Sequence, residues 1–263
     1  MQNQKKCHQN VWILSGTADG PILAERLIEL DYVVFISVVS HKACNAYPLN
    51  SKLHIFTGTL NNKKEIINFI LKHQIHFIVD ATHPFAINIS KNLISASSDI
   101  SIPFFRFERI AQYKSNVEII SNFEDINHEL IKNKNILLAI GSRALNEVAK
   151  FYSDLGANIF ARILATPNSI SNGFSSCINN SRLAILNPSY SKKNNLETYL
   201  CKYWRIDYIV CRDSGGYSQI IWDEICLRSN IKLYLLRRPE MQTNALIFSR
   251  YDDLIKKIVQ FEK

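Results

Sequence analysis

No apolar run in this 263-residue chain approaches the length of a membrane span, and the polar stretch 1–10 is followed by only four apolar residues, Val11 to Leu14. Neither a membrane segment nor a secretory leader is therefore expected, and the expected location is the cytoplasm. Six cysteines, Cys7, Cys44, Cys177, Cys201, Cys211 and Cys226, include no C-x-x-C pair. Scattered in this way they read as free thiols of a reducing compartment, so neither a disulfide nor a structural metal is expected. A Ser-His-Asp, metal-ligand or nucleophilic-cysteine arrangement is also lacking. The net charge is +8, yet there is no basic block: Lys and Arg fall in twos, as at Lys63-Lys64, Arg237-Arg238 and Lys256-Lys257. A nucleic-acid backbone calls for a continuous basic face, so a polycarboxylate small molecule suits the charge at least as well. An Asn- and Lys-rich composition accounts for much of the surface charge without any partner.

Acidic residues are missing where one would be informative. None occurs from Tyr32 to Lys64. In a dinucleotide site, a carboxylate about 20 residues beyond the glycines holds the ribose 2′-hydroxyl, whereas a 2′-phosphate prefers cations and hydroxyls. Ser40, His41 and Lys42 stand in that place, which favours NADP(H) over NAD(H) if a dinucleotide binds; a polar strand end is the other reading.

The stretch Val11 to Leu30, VWILSGTADGPILAERLIEL, reads as a buried strand, a small-residue turn and an amphipathic helix with Leu23, Leu27 and Leu30 at helical spacing. Gly16 and Gly20 let backbone approach a ligand, Thr17 and Asp19 can cap, and Pro21 suits the first helical turn. Free N–H groups there would face a pyrophosphate. The turn is S-G-T-A-D-G rather than G-x-G-x-x-G, and two glycines also serve steric needs alone.

The same grammar continues. Strands are expected at Tyr32–Val39, Leu53–Phe56, Ile75–Val79, Ile102–Phe107, Val117–Ile120, Ile136–Ile140, Ile159–Leu164, Leu183–Leu186, Tyr208–Cys211 and Lys232–Leu236, and helices from Asn62, over Ala86–Ala96, Glu124–Lys132 and Ala144–Phe151. Alternating strands and helices imply parallel sheets with ligands at the carboxyl ends of the strands. The expected fold class is α/β, with two Rossmann-like domains, 1–133 and 134–263, and a cleft between them.

Three loops could carry chemistry. His83, in D-A-T-H-P-F-A, can donate a proton or contact a phosphate; alternatively Thr82 caps a helix and His83 is a hydrogen-bonded loop residue. Gly141-Ser142-Arg143 could grip a carboxylate or phosphate, or be a capping serine beside a solvated arginine. Asp213-Ser214-Gly215-Gly216 could offer N–H groups to an anion, or form a turn that needs positive φ.

These motifs stand in one order: Ser15 to Gly20; Val79 to Ala86; Ile102-Pro103-Phe104-Phe105-Arg106-Phe107-Glu108-Arg109; Gly141-Ser142-Arg143; Arg212 to Gly216; and Arg237-Arg238-Pro239. In that order the chain resembles the precorrin-6A reductase family of corrin biosynthesis, with its G-G-T-x-E-A-like turn, V-D-A-T-H-P-F-A, I-P-x-x-R-x-E-R, T-G-R-like turn, K-D-S-G-G and closing R-R-P. Ser15 replaces a Gly, Asp19 a Glu, Gly20 an Ala and Arg212 a Lys, and Gly141 lacks the preceding Thr pattern. The resemblance implies reduction of one double bond of a tetrapyrrole polycarboxylate, metal-free or cobalt-bearing, to give precorrin-6B. NADPH is the expected cofactor, with NADH as the alternative. On this reading Gly16, Thr17 and Ala18 cradle phosphate, Ser40 and Lys42 take the 2′-phosphate, and Thr82 and His83 lie by the nicotinamide. Ser142, Arg143, Asp213, Ser214, Gly215 and Gly216 bind substrate. His83 is the candidate catalytic proton donor, unless the polarised substrate needs none. A monomer or homodimer is expected, with no nucleic acid and no membrane as partner. An adenosylmethionine-dependent tetrapyrrole methyltransferase and a nucleic-acid-binding module are the rival classes.

Overall fold

The computed structural model describes residues 9–60, 62–110, 112–187, 196–240 and 245–261. The chain forms two compact units, Met1–Ile110 with Pro239–Lys263, and Ala111–Arg238. In the first, β1(Asn10–Ser15), β2(Val33–Val38), β3(Leu53–Thr57), β4(Phe77–Ala81) and β5(Phe104–Phe107) alternate with α1(Asp19–Glu29), α2(His41–Cys44), α3(Lys63–Lys72) and α4(Ile87–Asp99). In the second, β6(Val117–Ile120), α5(His128–Ile131), β7(Asn135–Ala139), α6(Leu145–Asp154), β8(Asn158–Ile163), α7(Pro167–Phe174), β9(Leu183–Ile185), α8(Leu196–Tyr203), β10(Tyr208–Arg212), α9(Tyr217–Ser229) and β11(Lys232–Leu236) follow. The chain then returns to the first unit with β12(Leu246–Phe248) and α10(Tyr251–Gln260).

Among the described residues each sheet has six strands, in the orders β12-β5-β4-β1-β2-β3 and β6-β11-β10-β7-β8-β9, and every pairing is parallel. These are doubly wound α/β units, as the strand-helix alternation implies. Strand order reverses between β1 and β4 in the first and between β7 and β10 in the second, and such reversals open ligand crevices at the carboxyl ends of the strands.

Both faces of each sheet are covered, so the strands are apolar throughout rather than alternating. Val11 and Ile13 of β1 pack with Leu23 and Leu27 of α1 and Leu254 and Ile258 of α10. Trp12 and Leu14, on the opposite face, meet Ile66 and Ile70 of α3 and Leu93 of α4. The Asn62 side chain accepts from Glu65 N at 3.0 Å, which is the start signal expected for α3.

The domain boundary differs from the expected division at residues 133 and 134. β6 pairs with β11 rather than with β5, its neighbour in sequence, and β12 takes the place beside β5. Ladder hydrogen bonds with strands more than 100 positions away therefore decide where residues 111–133 and 239–263 belong. The expected helix over Glu124–Lys132 is instead a 3-10 turn, Phe123–Asp125, held by an Asn122–Asp125 capping box, followed by the one-turn α5.

Candidate functional site

β1 and β4 end side by side, with Ser15 opposite Ala81, so the turns after them open on one edge. A Cβ built on the exposed Gly16 would meet nothing within 4 Å. Thr17 and Ala18, between the end of β1 and the start of α1, donate no backbone hydrogen bond among the described residues, while Gly16 directly follows the β1–β4 ladder. Gly20 differs from its expected role beside a ligand: a Cβ there would fall 2.2 Å from Ser15 Oγ and Tyr47 Oη, so this glycine lets α1 pack against β1. The expected caps differ as well. Ala18 occupies the N-cap without a side-chain bond. Thr17 Oγ1 turns inward, 2.8 Å from Asp19 Oδ2 and 3.2 Å from the Ala81 carbonyl, leaving its backbone for a ligand.

Asp19 itself is buried. Its Oδ1 accepts from Arg109 Nε at 2.8 Å, Arg109 Nη2 at 2.7 Å and Tyr251 Oη at 2.6 Å. Burial and then this bond push the Tyr251 hydroxyl up to about 12. At the end of β2, Ser40, His41 and Lys42 are exposed, and the Ser40 hydroxyl makes no capping bond.

Beneath the Thr82–His83 loop lies a charge pair that sequence reasoning did not single out. Asp80 is fully buried and pairs at 2.8 Å with Arg106, itself 1% exposed. Thr82 Oγ1 donates to Asp80 Oδ1 at 2.7 Å and accepts from Arg106 Nη1 at 3.0 Å, and Ser90 Oγ donates to Asp80 Oδ2 at 2.5 Å. The Thr82 side chain thus belongs to this network. His83 Nδ1 accepts from Phe85 N at 3.3 Å, which assigns the ring proton of the neutral imidazole to Nε2.

In the second unit, Gly141 has φ +81° and lies against Arg212, whose Nη1 would be 3.4 Å from a Cβ at that position. Ser142 Oγ contacts Ser169 Oγ at 3.3 Å and accepts from Asn172 Nδ2 at 3.3 Å, and Arg143 is exposed. Burial and then the nearby Arg143 charge lower the pKa of the Arg212 guanidinium. Asp213 accepts from Arg238 Nε and Nη2, both at 3.2 Å, and from Tyr113. The loop after it differs from expectation. The N–H groups of Ser214 and Gly215 donate to Gln219 Oε1 at 2.6 and 2.7 Å, and Gly216 N donates to Ser214 Oγ at 3.2 Å. A buried carboxamide therefore takes the amides read as anion ligands, and Gly215, with φ +64°, serves the turn.

Asp19, Asp80, Arg106 and Arg109 all lie in motifs visible in the sequence; their partnership is a product of sheet order. Tyr251, Gln219 and Tyr113 carry no sequence signal, because nothing local marks them.

A doubly wound sheet with an open glycine turn at its switch point is the architecture of a dinucleotide-dependent oxidoreductase. Residues 10–259 match the family model described as precorrin-6x reductase CbiJ/CobK. A cobalt-precorrin-6A reductase of Synechocystis sp. is 28% identical over 236 residues, 88% of each chain. One from Methanocaldococcus jannaschii is 26% identical over 260 residues, 96% of this chain and 99% of that one. The solved structure titled CobK precorrin-6A reductase superposes with a TM-score of 0.77 at 16% identity, over 96% of both chains, which shows the shared fold. The chain belongs to the precorrin-6x reductase family and is an oxidoreductase of corrin biosynthesis that reduces a double bond of a precorrin-6A macrocycle, with a nicotinamide cofactor as the family's reductant. No helix among the described residues is long and apolar enough to cross a membrane.

Proposed function

We propose that NADPH is the hydride donor and that its pyrophosphate lies on the N–H groups of Gly16, Thr17 and Ala18, with Ser40 and Lys42 taking the 2′-phosphate. The open space above Gly16 at the β1/β4 switch point carries this reading: a Cβ there meets nothing, so backbone can approach a phosphate. The exposed, acid-free segment Ser40 to Lys42 supports the phosphorylated cofactor over NADH. When bound, the cofactor supplies a hydride to one double bond of the macrocycle. The chain's residues bind and orient. His83 presents Nε2–H at the same edge as the candidate proton donor. Arg143, with Arg212 beside it, neutralises substrate carboxylates, and Ser142 and the loop from Asp213 to Gly216 line that region. The cytoplasm is the proposed location and the working form a monomer or homodimer. The relatives' names favour a cobalt-bearing substrate.

The test mixes the protein with NADPH or NADH and with metal-free or cobalt-bearing precorrin-6A, following nicotinamide absorbance. Turnover faster with NADPH and with the cobalt form is the expected result. No oxidation of either nucleotide, or binding of adenosylmethionine instead, overturns the reading. His83→Ala is the second arm: a loss of about 10²-fold or more assigns the proton to His83, and a smaller one assigns it to solvent.

A further inference from the structure

Tyr251 stands 232 positions from Asp19 in sequence, and its hydroxyl donates to the Asp19 carboxylate at 2.6 Å. The residue opens α10, and its ring stacks on Phe107, the last residue of β5, at 4.6 Å between centroids and 12° between planes. On another side the Arg26 guanidinium lies 5.2 Å from the ring centroid. The ring is thus held on three sides. Its hydroxyl shares Asp19 Oδ1 with Arg109, while Oδ2 takes the Thr17 hydroxyl, which also contacts the Ala81 carbonyl at the end of β4.

This arrangement answers an electrostatic difficulty in the proposed cofactor site, on which the inference rests. Asp19 is the first residue of α1, where its charge competes with a pyrophosphate for the helix N-terminus. Arg109, Tyr251 and Thr17 together occupy both oxygens of the carboxylate. We infer that Tyr251 is a positioning residue for cofactor binding: its hydroxyl, delivered by the returning C-terminal segment, holds Asp19 in the pose that keeps the Thr17 and Ala18 N–H groups available to phosphate. The effect is on the affinity for the cofactor. The chemical step is untouched, because Tyr251 reaches the turn only through Asp19.

Tyr251→Phe keeps the stack and the packing and deletes one hydrogen bond to a charged group. The full-length variant is titrated with NADPH by nucleotide fluorescence, its unfolding temperature is measured without nucleotide, and KM and kcat are compared. The expected result is an NADPH dissociation constant raised about tenfold, with kcat at saturation near the wild-type value. Tyr199→Phe, on the exposed face of α8, serves as the neutral control. Wild-type protein that binds neither NADPH nor NADH overturns the cofactor reading itself. Wild-type binding with unchanged affinity in Tyr251→Phe overturns only the inference. A lowered unfolding temperature with no change in KM reduces the hydroxyl to a structural role and also overturns it.

Discussion

The two units share the order of five of their six strands and differ in the source of the edge strand, β12 from the end of the chain in one and β6 from the start of its unit in the other. In each, an aspartate is held by an arginine that follows the strand next to the edge strand and by a tyrosine from the segment carrying that edge strand. The first set is Asp19, Arg109 after β5, and Tyr251 after β12. The second is Asp213, Arg238 after β11, and Tyr113 before β6. In the first unit this clamp closes on the turn after β1, where the Thr17 and Ala18 amides make no backbone hydrogen bond among the described residues. In the second it closes on the loop after β10, whose Ser214 and Gly215 amides donate to Gln219.

The largest expected effect comes from ending the chain at Arg238. The first unit then loses β12 and α10, including Leu254 and Ile258, which are fully buried. Limited proteolysis should degrade the first unit while a fragment near 111–238 survives, because the edge strand of the second unit precedes its sheet in sequence. A truncated chain that still binds NADPH would break the comparison.

Next in size is Arg106→Met, which strands the fully buried Asp80 without its cation. Removing one partner of a buried pair costs about 3 to 5 kcal/mol, so the denaturant midpoint should fall steeply. Adding Asp80→Asn should recover part of the loss. A cost under about 1 kcal/mol would show that water reaches Asp80 and that the first unit does not depend on its buried pair.

The smallest effect is alkaline. Tyr113 and Tyr251 both have pKa values raised from the usual 10 to about 12, chiefly by burial and then by their aspartates. A raised folded value for an acid that is neutral when protonated means that the stabilisation is fully present below about pH 10 and disappears as pH rises through about 12. Phenolate absorbance should show one late-titrating tyrosine fewer in Tyr113→Phe and one fewer in Tyr251→Phe. Ordinary titration of either would show that its clamp is open.

Much of this was legible in one dimension. The apolar run Val11–Leu14 and the 3.6-residue stripe after Gly20 marked β1 and α1, and the expected loops do fall at carboxyl ends of strands. Thr82 and the Ser214–Gly215 amides illustrate the limit: both motifs were visible, but Asp80, Arg106 and Gln219 take their hydrogen bonds. β12 has three residues, two of them well exposed, so no pattern announces it.

Local sequence alone determined most of the strands and helices and the glycine turn, since periodicity, φ preference and missing acids act within a few residues of one another. Tertiary structure alone decided which sheet takes β6 and β12 and which side chains surround Asp19, Asp80 and Asp213. A strand at a sheet edge satisfies its hydrogen bonds with any free neighbour, and a buried carboxylate with any donor the fold delivers, so neither choice is written near the residues that make it.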